Sequence, residues 1–324
     1  MDIRMILLFG MPRSGTTWLG KVFDSHPRTL YRHEPDSFGS LDAMPLFPEP
    51  ADAARYRAQV EAFSVALPET RSARVTGKLP LFAKDYQGPL AFQLRRLLLL
   101  AGKAAGRLTQ REPPLPALLD RRYPERTYLV WKSIESLGRL GVIARLLPEC
   151  RAVHILRHPC GYVSSVLRGE AQGRLGGDVP ASEDYGILEM LLATEAARAH
   201  GLDLAGLRVL QPVERLAWRW VLYNDKAMAD TAGLAGCTRV RYEDLCARPL
   251  EGYRQLFAAT GLPWHAQTEA FVQQSTGSNR ASYYSVYRDP AQAARSWESQ
   301  LAAADIERVL RITEASRAGA LYGD

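Results

Sequence analysis

The sequence predicts an α/β fold of three layers, a central and mostly parallel sheet flanked by helices, with helical insertions. Three observations predict it. Short apolar runs recur at Ile3–Phe9, Thr127–Trp131 and Ala152–Arg157, each bounded by a polar turn. The first and third pass directly into segments of helical period. The polar residues of these units collect where each strand ends, the edge at which open α/β sheets bind ligands.

The first unit sets the pattern. The apolar run Ile6–Phe9 breaks at Gly10, passes Pro12, Arg13, Ser14 and Gly15, and enters a helix from Thr16 to about Ser25, with Trp18, Leu19, Val22 and Phe23 on its apolar stripe. A strand, a glycine-bearing turn and a helix start make a cradle for a phosphate, because turn amides and the helix dipole both present positive charge. Gly10 and Gly15 have the spacing of the P-loop, G-x-x-x-x-G-K-[ST]. Thr16 stands where that motif has lysine, and Arg13 adds a cation inside the turn. Such a loop should hold a phosphate, but not the γ-phosphate of a nucleoside triphosphate in the usual way.

The remaining elements follow in order. His26-Pro27 ends the first helix, and Thr29–Tyr31 reads as a second short strand leading to His33-Glu34-Pro35. A loop (Phe38–Pro50), a helix (Asp52–Ala66) and a Leu-, Ala- and Arg-rich helical region (89–122) come next. After the strand Thr127–Trp131 stands Lys132-Ser133, then a helix Leu137–Leu147. The strand Ala152–Arg157 closes on a cation before His158-Pro159 and the helix that carries Ser165. Residues 170–182 read as a Gly-rich loop. Helices are expected over Tyr185–Ala199 and Pro212–Ala232, a late strand over Thr238–Tyr242, and helices over Pro249–Thr260 and Ala304–Arg317, with a loop at Ser275–Arg280.

Composition bounds the function. The 324 residues are 47% hydrophobic and 23% charged, ordinary for a globular domain, and no linker divides them. A net charge of +6 suggests anionic partners, while the lack of lysine-rich or aromatic-basic runs argues against nucleic acid. Cys150, Cys160, Cys237 and Cys246 lack metal-type spacing and read as reduced thiols. No run approaches the roughly twenty apolar residues of a membrane span, and a cytoplasmic enzyme is expected. Leu97–Ala101, flanked by Arg95, Arg96 and Lys103, allows peripheral contact with a membrane surface.

Taken together, Pro12-Arg-Ser-Gly-Thr-Thr17 after a strand and Ile155-Leu-Arg157-His-Pro with Ser165 eight residues beyond the arginine resemble the two signature sites of sulfotransferases. These enzymes use 3′-phosphoadenosine 5′-phosphosulfate (PAPS) and release 3′-phosphoadenosine 5′-phosphate (PAP). Arg241-Tyr242-Glu-Asp-Leu245 and Arg288 ahead of Trp297 resemble later landmarks. The loop is closer to the carbohydrate and tyrosyl-protein branches than to the small-phenol enzymes, which usually have lysine where Arg13 stands. The resemblance implies one domain over 1–324, with 36–125 and 169–185 as insertions on the acceptor side.

The resemblance implies roles that the chemistry supports. A donor with a 5′-phosphosulfate and a 3′-phosphate needs two anion sites. Arg13, Ser14, Gly15, Thr16, Thr17 and Trp18 would form the first, and Arg157 and Ser165 the second, a guanidinium fork and a hydroxyl donor. Ser275 and Arg288 are expected near the 3′-phosphate or bridging region, and Tyr242 either on the adenosine or in the core. Arg13 and Lys132 are the candidate cations at the sulfuryl group, with Lys78 a rival. Glu34 is the expected base for the acceptor hydroxyl, with His33 the neighbouring alternative. His158 departs from the acidic or amide residue usual after the second-site arginine. No metal is expected. The acceptor implied is a hydroxyl of a glycan, glycolipid or other natural product. Competing readings are a P-loop small-molecule kinase, disfavoured by the missing lysine, and a non-catalytic nucleotide-binding protein.

Overall fold

A computed structural model describes residues 4–38, 41–109, 127–173, 179–277 and 289–323. The five expected strand segments form one sheet: β1 (Arg4–Phe9), β2 (Thr29–His33), β3 (Tyr128–Ser133), β4 (Arg151–Leu156) and β5 (Cys237–Arg241). Their order is β2-β3-β1-β4-β5, and every neighbouring pair is parallel. With β1 central, the chain passes to β3 on one side and β4 on the other, so the loop after β1 lies at the switch point where ligands bind.

The principal helices, in chain order, are α1 (Thr16–Asp24), α2 (Arg57–Ala66), α3 (Pro89–Thr109), α4 (Leu140–Leu146), α5 (Pro159–Ala171), α6 (Tyr185–Leu192), α7 (Pro212–Asp230), α8 (Tyr242–Ala247), α9 (Pro249–Thr260), α10 (Ala266–Thr276), α11 (Pro290–Arg295) and α12 (Ala303–Thr313). Side-chain alternation along the strands builds two cores. Leu7, Phe9, Leu129 and Trp131 face α4, α5 and α7, whereas Ile6, Leu8, Val130 and Val153 face α1, α9 and α10. Strands apolar on both faces are what a covered parallel sheet requires.

Four expectations need correction. The helix expected over Asp52–Ala66 opens as a 3₁₀ turn, Pro50–Tyr56, before α2. The segment expected as one helix over Tyr185–Ala199 divides, because Thr194 turns its hydroxyl onto Leu191 O (2.7 Å) and a separate turn runs Glu195–Arg198. The Leu137–Leu147 segment opens as a tight 3₁₀ turn, Ser136–Arg139, before α4. Ser275 lies in the last turn of α10 and not in a loop. Among the described residues no helix is long and apolar enough to cross a membrane.

Several histidines are held neutral by the fold. Burial lowers His26 to about 3 and His154 to about 4, and burial together with Arg157 lowers His158 to about 4. Such a group keeps its full stability contribution above its unfolded value near 6.5 and loses it as pH falls toward the folded value. Stability is therefore expected to drop between pH 7 and 5, by on the order of 1–2 kcal/mol per histidine. Urea unfolding at the two pH values checks this. A flat profile would mean that these imidazoles are free to charge in the native state.

Candidate active site

The loop after β1 is shaped by close contacts and unusual backbone. A β-carbon on Gly10 would lie 2.6 Å from Ile155 O, so only glycine lets the loop cross β4 here. Arg13 and Gly15 adopt left-handed backbone, with φ of 73° and 88°. At Gly15 a β-carbon would also meet Tyr242 Cδ2 at 2.4 Å. The Ser14 amide donates to Met11 O (3.2 Å), which tightens the turn, and the Ser14 side chain is buried. No side chain caps α1, so the amides of Thr16 and Thr17 remain available at its positive end.

Beneath the loop lies an aromatic floor. Trp18 packs edge-on against Tyr242 (6.1 Å between centroids) and Tyr253 (5.2 Å), and its Nε1 donates to Ser275 Oγ (3.1 Å). Trp18, Tyr242 and Ser275 are thus brought together as buried packing that supports the loop. Tyr242 has a second contact, because the Arg157 guanidinium lies 5.1 Å from its ring centroid.

The two signature segments meet. Arg13 Nε donates to Ser165 Oγ (2.9 Å), and Arg157 Nη1 donates to Arg13 O (2.9 Å). Arg157 Nη2 binds Ala293 O (3.0 Å), while its Nε is buried without a hydrogen-bond partner. Only 9% of Arg157 is exposed, and no carboxylate forms an ion pair with it among the described residues. Glu243 is nearby, but its oxygens accept from the His158 amide (3.0 Å) and the Tyr322 hydroxyl (3.2 Å). A buried guanidinium without a counter-ion is costly, and an anionic ligand is the group that would satisfy it. His158 itself stacks on Trp297, 4.4 Å between centroids and nearly coplanar.

Strand register assembles the second half of the site. His33 on β2 and Leu8 on β1 both lie opposite Lys132 on β3, and alternation puts Tyr31, His33 and Lys132 on one face. Glu34, one residue past β2, has φ of 51°, and its amide binds Lys132 O (2.7 Å). That turn directs the carboxylate onto Lys132 Nζ, with which Oε1 makes an ion pair. Lys132 is fully buried, and burial lowers its pKa even though Glu34 opposes the shift. His33 presents Nε2 to the same Oε1 at 3.7 Å and bonds the Tyr31 hydroxyl through Nδ1 (2.8 Å). Burial, then Lys132, Lys78 and Lys21, hold His33 far below the usual imidazole range.

One organising residue was not anticipated from sequence. Asp36 is buried and accepts from Trp131 Nε1 (3.0 Å), Ser133 Oγ and Ser136 Oγ (2.6 Å). It ties the turn carrying Glu34 to the turn after β3. Its only signal was position, two residues beyond Glu34. Lys78 is half-buried, and its side chain has no hydrogen-bond or ion-pair partner among the described residues; its carbonyl accepts from Lys21 (2.8 Å). Arg288 lies outside the described residues, as do parts of the two expected insertions (39–40, 110–125 and 174–178). No group of three or more metal-ligating side chains occurs among the described residues.

Fold and site together define an α/β protein with a glycine-bearing loop and a buried arginine at the carboxyl ends of β1 and β4, beside a half-buried glutamate paired with a buried lysine. The chain belongs to the sulfotransferase family, whose model matches residues 6–266. It is 24% identical over 346 residues to carbohydrate sulfotransferase 5 of Homo sapiens, covering 98% of this chain and 76% of that one. To carbohydrate sulfotransferase 6 of Homo sapiens it is 25% identical over 322 residues, covering 94% and 77%. Among solved structures it is similar to a sulfotransferase domain from the curacin biosynthetic pathway, with 16% identity and a TM-score of 0.46, covering 96% of this chain and 97% of that chain.

Proposed function

We propose that this member of the sulfotransferase family moves a sulfuryl group from PAPS to a hydroxyl of a carbohydrate acceptor, with Glu34 as base. The observation that carries the donor assignment is Arg157, a buried guanidinium with an unpartnered Nε and no ion-paired carboxylate among the described residues. With Ser165 it would hold the 3′-phosphate. The amides at the start of α1, with Arg13, Thr16 and Thr17, would hold the 5′-phosphate. The carbohydrate acceptor is supported by the names of the two human relatives.

The bound donor supplies an activated sulfuryl group on a phosphate leaving group. Glu34 would accept the proton of the acceptor hydroxyl as that oxygen becomes acidic. Its protonation weakens the ion pair with Lys132, so the lysine's charge becomes available where negative charge develops. Between the two base candidates, the environment favours Glu34. His33 is held so far below the ordinary imidazole range that it is a weak base, and its Nδ1 is already engaged by Tyr31. Residues 36–125 and 169–185 are proposed as the acceptor-side elements of a single domain.

The test is transfer of labelled sulfate from PAPS onto a panel of saccharides, with product mass and linkage read out. A sulfated saccharide is expected, together with one equivalent of PAP. Phosphate transfer from a nucleoside triphosphate, with no sulfate transfer, would support the kinase reading instead.

A further inference from the structure

Helix α3 presents its apolar stripe outward. Its inner face packs through Leu99, which is buried, and through the half-buried Phe92 and Leu98. Two of its cations also turn inward. Arg95 donates to Thr76 O (3.2 Å) and Lys103 to Gly77 O, while Lys21 of α1 takes the next carbonyl, that of Lys78. Three consecutive carbonyls are thus clamped by cations, and α3 is fixed to the body of the protein.

The outer face carries Leu90, Leu94, Leu97 and Leu100, spaced by four, three and three residues, with Ala101 and Ala104 between them on the helix surface. Leu90 is 88% exposed and Leu97 65%. Four of the ten exposed large apolar side chains among the described residues therefore lie on this one helix, a patch and not a scatter.

Charge identifies what would cover it. The 21 residues of α3 contain Arg95, Arg96, Lys103 and Arg107 and no aspartate or glutamate. Arg96 is exposed beside the leucine stripe. A second copy would bring two such stripes, each with an exposed Arg96 and no acid on its helix, against one another. An apolar stripe beside an exposed arginine, on a helix without acids, matches the boundary of an anionic bilayer.

We propose that α3 lays its leucine face into an anionic membrane surface. The clamp then sets the site's orientation, because Lys21 also lies 5.4 Å from the Tyr31 ring centroid, on the strand that leads to His33 and Glu34.

Cosedimentation of the full chain with phosphatidylcholine vesicles, with and without phosphatidylglycerol, tests this. The protein is expected to sediment with the anionic vesicles and at least about tenfold less with neutral ones. A Leu94→Glu/Leu97→Glu double variant should lose at least about tenfold in partitioning, and Arg96→Glu about fivefold at low salt. Both alter outward-facing residues, so PAP affinity measured by calorimetry should be unchanged and shows that the variants are folded. Failure to bind anionic vesicles, or equal binding by the double variant, would overturn the proposal. So would a wild-type dimer that the double variant converts to monomer without any vesicle binding.

Discussion

Glu34→Gln is expected to lower turnover by about 10²- to 10⁴-fold, the range over which a positioned general base acts. PAP affinity should change by less than about threefold, below 1 kcal/mol. The carboxamide of the variant can keep a hydrogen bond to Lys132 but cannot accept a proton. The substitution also leaves a buried lysine without its carboxylate, which costs stability on the order of a few kcal/mol. Burial already favours the neutral form of Lys132, and this limits the loss. Single-turnover rates taken well below the melting temperature separate chemistry from unfolding. His33→Gln should reduce the rate by less than about tenfold, because its imidazole is a poor base in this setting. Wild-type turnover by Glu34→Gln would move the base to His33 or another group.

Arg157→Ala is expected to weaken PAP binding by about 10- to 200-fold, the worth of one charge-assisted hydrogen bond. The guanidinium also fastens Arg13 O and Ala293 O, so its loss loosens the loop proposed to hold the other phosphate. Arg157→Lys separates these effects. It keeps the charge but not the fork, and should recover only part of the affinity. Calorimetry with PAP gives both values, and unchanged affinity in Arg157→Ala would remove this residue from the donor site.

Much of the fold was legible because the signals are local. Three apolar runs and two shorter segments, Thr29–Tyr31 and Thr238–Tyr242, marked the five strands, and the Gly10–Gly15 spacing marked the loop that crosses β4. The residues proposed for the donor site carried a local signal too, since Arg13, Thr16 and Arg157 sit at strand ends and loop starts. What the sequence left open depends on register and side-chain direction. His33 and Lys132 are about a hundred residues apart, and only parallel pairing of β2 with β3 brings them opposite each other. The left-handed turn at Glu34 and the anchoring role of Asp36 have no local signature, because each is defined by partners on β3 or just beyond it. The Thr194 break between two helical turns arises from one side-chain bond to the preceding turn, which competes with helix continuation.

In the proposed donor site, Arg157 recognises the 3′-phosphate while the loop after β1 holds the 5′-phosphate. The most direct measurement is a titration cycle in which the wild type and Arg157→Ala each bind PAP and 5′-AMP, which lacks the 3′-phosphate. The wild type should prefer PAP by at least about tenfold, and this preference should collapse to within about threefold in Arg157→Ala, with 5′-AMP affinity much less affected. An undiminished preference for PAP in the variant would contradict the assignment.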